Sequence, residues 1–232
     1  MSFKTNIPHW NLSEDDKILY PFGPPIFQTE VSNKFCDELI TEGRKLNREE
    51  DDWNPRLAGN LKYGRSYHYD ENYVRSVEPK LKVYVEKMFN GLIDMYGKDY
   101  DMVWKNCRVQ TGELAQADRK FRDGDVKLDS LWINYGKKHD FNPPHTHHGI
   151  LSFVIFLQVP QKIFDVQADC NTQRAGFITF QHGNHTKWNG TDYPVRPADN
   201  MMLMFPADLP HYVSPYWIDE TRISMSGNFV VL

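Results

Sequence analysis

The feature that most constrains this chain is the texture of its second half, where short β-rich runs are split by Gly, Pro, Asn and Asp. The runs are Val103–Val109, Val126–Tyr135, His147–Val159, Ile163–Val166, Gly176–Gln181, Met201–Phe205, His211–Pro215 and Arg222–Val231. Strands this short, separated by turn residues at this spacing, predict an antiparallel sandwich or jelly roll. Residues 1–101 read instead as helix and loop. Val31–Leu46 opens on the helix-capping types Ser32 and Asn33 and places Phe35, Leu39 and Ile40 on one face. The charged stretch Asn47–Asp70, with Pro55, Gly59 and Gly64, reads as loop. A second helix is expected from about Asn72 to Gly97, with Pro79 near its true start. Val74, Val77, Leu81, Val85, Met88, Leu92 and Met95 recur along it at three- and four-residue steps. That stripe is a packing face, available to cover the barrel or to pair two copies as a homodimer.

The expected fold class is therefore α+β, mainly β: a helical and loop region, 1–101, packed on a β core, 102–232, as one structural domain overall. A chain of 232 residues is long enough for a single core to bury most of its apolar surface. A net charge of -4 and a pI near 6.1 give no global pull toward nucleic acid or anionic membrane. Cys36, Cys107 and Cys170 are odd in number and form no CxxC, so neither a disulfide framework nor a thiolate zinc site is indicated. Met1–Trp10 holds no apolar run of the signal-peptide kind, and no stretch approaches a membrane span. The expectation is a soluble protein of the reducing cytoplasm.

The chain holds nine histidines, unevenly placed, three of them in Pro144-His145-Thr146-His147-His148-Gly149. In a strand, side chains two apart share a face, so His145 and His147 can reach one metal while His148 faces away. Imidazole suits several transition metals, so the pair by itself names none. A third ligand is available at His211, after Pro210 and at the head of a short β run. His182 and His185 sit in a Gly/Asn-rich loop, whose polarity accounts for them. Eleven residues after His211 comes Arg222-Ile223-Ser224-Met225-Ser226-Gly227-Asn228. As a strand, this puts Arg222, Ser224, Ser226 and Asn228 on one face, directed either to solvent or into a barrel. In a barrel an arginine is costly unless it meets a carboxylate, which its planar fork grips bidentately, with a serine hydroxyl adding a bond.

The order and spacing of these motifs resemble the iron(II)- and 2-oxoglutarate-dependent oxygenases, in the branch with His-x-His in place of His-x-Asp. The resemblance runs over about residues 126–232. It is carried by Trp132-Ile133-Asn134, His145-Thr146-His147 and Leu151-Ser152-Phe153-Val154, then by Phe205-Pro206, His211, Val213, Arg222, Ser224 and Asn228. It implies a double-stranded β-helix of the cupin-like jelly-roll type, with Fe(II) on His145, His147 and His211. It also implies 2-oxoglutarate anchored by Arg222 and Ser224, with Trp132, Asn134 and Asn228 as further cosubstrate or substrate contacts, and hydroxylation of a small molecule or peptide. For Trp132, an ordinary core position is an equal reading.

The family at large uses two histidines and one carboxylate. Here the carboxylate position is His147, and Asp140 would need an unusual loop to substitute for it. Zinc accepts three histidines too, so the rival readings are a cupin-like three-His dioxygenase without 2-oxoglutarate, a zinc hydrolase, and a binding module with an inert metal. Neither of the two rival enzymes needs an arginine aimed at a diacid, and the binding module would show no turnover. The loops 47–70 and 181–200 are the places where substrate choice would lie.

Overall fold

The computed structural model describes residues 16–19, 23–46, 52–59, 61–96, 126–165, 174–187 and 190–231. Two antiparallel sheets face one another. The larger has the order β1-β2-β9-β6-β11-β4-β3, built from β1 (Lys17–Leu19), β2 (Ile26–Glu30), β3 (Arg65–His68), β4 (Val126–Gly136), β6 (Leu151–Gln158), β9 (Met201–Pro206) and β11 (Arg222–Val231). The smaller runs β5-β10-β7-β8, from β5 (Asn142–His145), β7 (Ile178–Gln181), β8 (Asp192–Val195) and β10 (His211–Val213). This is the jelly roll that the sequence predicts.

Strand alternation sorts the side chains between two cores. Val154 and Phe156 of β6, with Leu203 and Phe205 of β9, pack between the sheets against Ile178 and Phe180. Their strand neighbours Phe153, Ile155, Met202 and Met204 turn the other way, toward two helices. Both faces of β6 are covered, which is why Leu151–Leu157 is buried without an exposed position. On β11 the same alternation sends Ile223, Met225 and Phe229 to the helices. Arg222, Ser224 and Ser226 face the cavity between the sheets. Of the two directions open to that polar face, the chain takes the interior one.

The helices are α1 (Asn33–Lys45) and α2 (Glu71–Tyr96). Ser32 caps α1, its Oγ accepting from the Phe35 N–H at 3.4 Å, and Arg44 and Lys45 occupy the last turn, where the helix dipole favours cations. Asp70 does the same for α2 by accepting from the Tyr73 N–H at 2.9 Å. The α2 stripe of Val74, Val77, Leu81, Val85, Met88 and Leu92 is buried in the same core as Leu128, Leu131 and Ile133 of β4. That face is therefore occupied within one chain. Among the described residues no helix is long and apolar enough to cross a membrane.

Several boundaries differ from the sequence reading, each for a local reason. The helix starts at Glu71 and runs through Pro79. The proline forgoes one N–H bond, and burial of the stripe on both sides of it outweighs that loss. Of the expected strand Ile163–Val166, the described residues 163–165 form none: Gln161–Phe164 make a 3-10 turn in which Ile163 alone is fully buried, so no two-residue alternation develops. The run from His147 begins pairing only at Leu151, because Gly149 turns at φ 92 with the Phe229 carbonyl 2.4 Å from where a Cβ would stand. The 1–101 region is more than helix and loop, since β1, β2 and β3 complete both edges of the large sheet. The run Val103–Val109 lies outside the described residues.

Candidate metal and cosubstrate site

His145 ends β5 and His211 opens β10, and the two are direct partners across that antiparallel pair. His147 lies two residues beyond β5, in the turn before β6, and its N–H donates to the Ala207 carbonyl at 2.8 Å. Nitrogen atoms of the three rings all fall within 4.8 Å of one another. The third partner thus comes from the far end of the chain, placed by the β5–β10 register. His148 points away and meets the Asp129 carboxylate at 2.8 Å.

The donor set fits a cation. His145 Nδ1 donates to the Pro143 carbonyl at 2.7 Å and His211 Nδ1 to the Leu209 carbonyl at 3.0 Å. Those bonds fix the tautomers and leave each Nε2 with a lone pair. His147 Nε2 and His211 Nε2 stand 3.3 Å apart. Donors held roughly at right angles by one metal, each at about 2.1 Å, are separated by about 3 Å. Burial drives all three rings toward the neutral form that a metal needs: it pushes His147 down to about 4 and His211 to about 3, and lowers His145. Their mutual repulsion adds to the depression at His147 and His211. Asp140 is not a member of the cluster. It is buried elsewhere, its carboxylate accepting from the Tyr63 N–H at 3.1 Å and the Lys137 N–H at 2.8 Å.

Deeper between the sheets, one cavity is lined by all three histidines together with Arg222, Ser224, Ser226, Trp132 and Asn134, and floored by Phe156, Ile178 and Phe205. Arg222 is buried, and burial lowers its pKa, partly offset by Tyr216 and Asp140. Its Nη1 donates to the Gly176 carbonyl at 2.8 Å, and it makes no ion pair with any described residue. A buried guanidinium without a carboxylate is a costly arrangement that an anion entering the cavity relieves. Tyr216 steadies this arginine. Its ring lies 5.8 Å beneath the guanidinium, and its hydroxyl accepts from the Arg222 N–H at 3.3 Å and lies 2.5 Å from the Gly136 carbonyl.

Residues 130–228 match the family model described as "Putative 2OG-Fe(II) oxygenase". That match spans the chain from β4 to β11, the stretch over which its motifs resemble the iron(II)/2-oxoglutarate-dependent oxygenases. In overall shape the chain is similar to a prolyl-4-hydroxylase of Pseudomonas putida at a TM-score of 0.50 and 13% identity, over 89% of this chain and 92% of that one. It is also similar to HygX of Streptomyces hygroscopicus, solved with nickel, 2-oxoglutarate and hygromycin B, at a TM-score of 0.52 and 10% identity, over 90% and 83%. At such identities these likenesses speak for the fold. Among curated proteins none matches the chain.

The residues assigned from the sequence as metal ligands or cosubstrate and substrate contacts (His145, His147, His211, Arg222, Ser224, Trp132, Asn134 and Asn228) each line a cavity at the site. Asn228 alone stays out of the inner one, its amide held between Ser152 Oγ at 2.7 Å and Ser130 Oγ at 3.1 Å. Trp132 is both core and wall: buried, yet 5.7 Å ring to ring from His147. Sequence reasoning missed Tyr216, Trp53 and His68. The last two arrive because β3 pairs with β4 and sets His68 opposite Trp132, a long-range match that no local pattern announces.

Proposed function

We propose that this chain is an oxygenase that couples oxidative decarboxylation of 2-oxoglutarate to hydroxylation of a second substrate, using Fe(II) held by His145, His147 and His211. The observation that carries this reading is the buried Arg222, facing the same cavity as the histidines and paired to no described carboxylate. A three-His hydrolase, or a dioxygenase without 2-oxoglutarate, has no use for such a group.

Arg222 would take the distal carboxylate of 2-oxoglutarate bidentately, with Ser224 Oγ adding a hydrogen bond. When bound, the iron and 2-oxoglutarate supply the redox chemistry that activates O2. The chain's own part is orientation and dryness. Pro143 and Leu209 hold two imidazoles by their Nδ1 protons, Tyr216 and the Gly176 carbonyl hold the guanidinium, and Phe156, Ile178 and Phe205 keep water from the reacting end. Asn134 has its Oδ1 fixed by Ser66 Oγ at 2.6 Å, which leaves its Nδ2 to donate into the cavity.

Anaerobic titration of the protein with Fe(II) and then 2-oxoglutarate tests this. The expected result is a visible metal-to-ligand charge-transfer band, with Arg222→Ala weakening 2-oxoglutarate binding at least tenfold while metal binding stays within a factor of about two. No band, or an Arg222→Ala variant that binds 2-oxoglutarate as tightly as the wild type, overturns the assignment.

A further inference from the structure

A second, wider pocket of about 350 Å³ opens on the outer side of His145 and His147. Its wall includes Trp53, His68, Trp132, Asn134, Asn142 and Ser130, and no described Lys, Arg, Asp or Glu lines it. We propose that this pocket receives a compact, uncharged ring carrying hydroxyl or amide groups, of the glycoside or nucleoside kind, and not an extended peptide strand. The proposal rests on the oxygenase reading only in taking the pocket to be where the second substrate lies.

Three observations carry it. The first is the wall itself. Trp53 and His68 form a tilted ring pair with centroids 5.0 Å apart, and Trp132 lies against His147, so flat apolar faces border the space beside the metal ligands. A ring stacks on such faces, and a charged group would be stranded there without a counter-ion.

The second is the hydrogen-bonding inventory. His68 Nδ1 donates to the Tyr69 carbonyl at 2.6 Å, so the neutral ring offers Nε2 as an acceptor. Asn134 keeps its Nδ2 donor, Ser130 Oγ accepts from Asn228 and keeps its own proton, and Asn142 offers a whole amide. Donors and acceptors are mixed and formally uncharged, the complement of groups that donate and accept at neighbouring atoms.

The third is that the sheet edges beside the pocket are poorly suited to strand addition. β5, an edge strand, contains Pro143 and Pro144, which have no N–H, and the Pro143 carbonyl is taken by His145. On β3, the other edge, the Ser66 carbonyl accepts from the Trp53 N–H at 2.7 Å and the Ser66 N–H donates to Asp52 at 3.4 Å. A peptide held by main-chain pairing, the usual way an extended segment docks on a sheet, meets two prolines on one edge and the committed Ser66 rung on the other.

Saturation-transfer NMR on the full-length chain, with and without Zn(II) and 2-oxoglutarate, tests the idea. The panel is neutral methyl glycosides, uncharged nucleosides, their phosphorylated and amino counterparts, and capped uncharged tetrapeptides. Transfer is expected to ring protons of a neutral glycoside or nucleoside, and which of those two arms responds identifies the source. Charged counterparts are expected to bind at least tenfold more weakly. Trp53→Phe should keep the signal and Trp53→Ala lose it, both with the wild-type circular dichroism spectrum. The proposal is overturned when charged compounds or peptides bind more tightly than every neutral ring, or when no ring in the panel binds. A charge-transfer band with no ring bound would remove this inference and leave the oxygenase reading standing. A ring bound with no band would do the reverse.

Discussion

At the scale of single residues, three imidazoles and one guanidinium carry the chemistry, and their fates in the chain differ. His211 is almost fully buried with its Nδ1 committed to Leu209, whereas His148 is exposed and bonded to Asp129. Replacing His211 by Ala should reduce Ni(II) or Fe(II) affinity at least a hundredfold in calorimetric titration, and replacing His148 by Ala should change it less than threefold. Equal losses in both variants would refute the assigned trio. Gly227 belongs to the same scale. A Cβ there would stand 2.7 Å from both the Ser130 carbonyl and the Phe153 ring, so Gly227→Ala should destabilise the protein by about 1–3 kcal/mol in urea melts. These residues were legible to different degrees. Strand alternation alone set Arg222 and Ser224 on one face, and spacing picked His211 out of the nine histidines. Tyr216 was invisible, because its role is a contact with Gly136, 80 residues away in the sequence, rather than a pattern.

At the scale of elements, the chain ties α2 to the sheet through one carboxylate. Glu78, ahead of Pro79, accepts from the Leu128 N–H at 3.1 Å and from Arg75 at 2.6 Å, and pairs with Lys82 at 3.2 Å. Burial raises its pKa, and these partners more than offset the rise, leaving it lowered. Glu78→Ala leaves the buried Leu128 N–H without its acceptor. The expected loss is about 1.5–3 kcal/mol, the usual size for a hydrogen bond to a charged group, read as a lower urea midpoint. A midpoint unchanged from wild type would show that the helix is anchored by its apolar stripe alone. Elements with strong periodicity were the readable ones: α1, α2, β4, β6, β9 and β11 all appear near their expected spans. The missed strands β1, β2, β3, β5 and β8 have three to five residues each. In so short a run, pairing with a distant partner decides the conformation more than local propensity does. The prolines of β5 point away from a strand on propensity grounds, and the chain accommodates them because that strand is an edge.

At the scale of the whole molecule, the site sets how stability responds to pH. In the unfolded chain a histidine titrates near 6.5, while His147 in the fold is pushed down to about 4 and His211 to about 3, with His145 also lowered. Between about pH 6.5 and pH 4 the unfolded chain therefore binds protons that the folded one does not. Unfolding free energy rises with pH wherever the unfolded state holds more protons, so the metal-free protein should lose stability as pH falls through that window. The loss levels off only below the folded values. Glu78 acts lower on the scale: its contribution is present above the ordinary carboxylate pKa and disappears as pH falls through its own depressed value. A divalent metal binds the folded trio and not the dispersed histidines of the unfolded chain, which adds about 2.7 kcal/mol at a free concentration a hundred times its Kd. Thermal melts at pH 7.5, 6.5, 5.5 and 4.5, with and without Ni(II), follow both effects. The metal-free Tm should fall steadily across the series, Ni(II) should raise it at every pH where the imidazoles stay neutral, and a His147→Ala/His211→Ala variant should show a shallower slope and no response to Ni(II). A metal-free Tm that stays level from pH 7.5 to 4.5 would mean that the three rings are not held neutral by burial, and the physical case for a preformed metal site would fall with it.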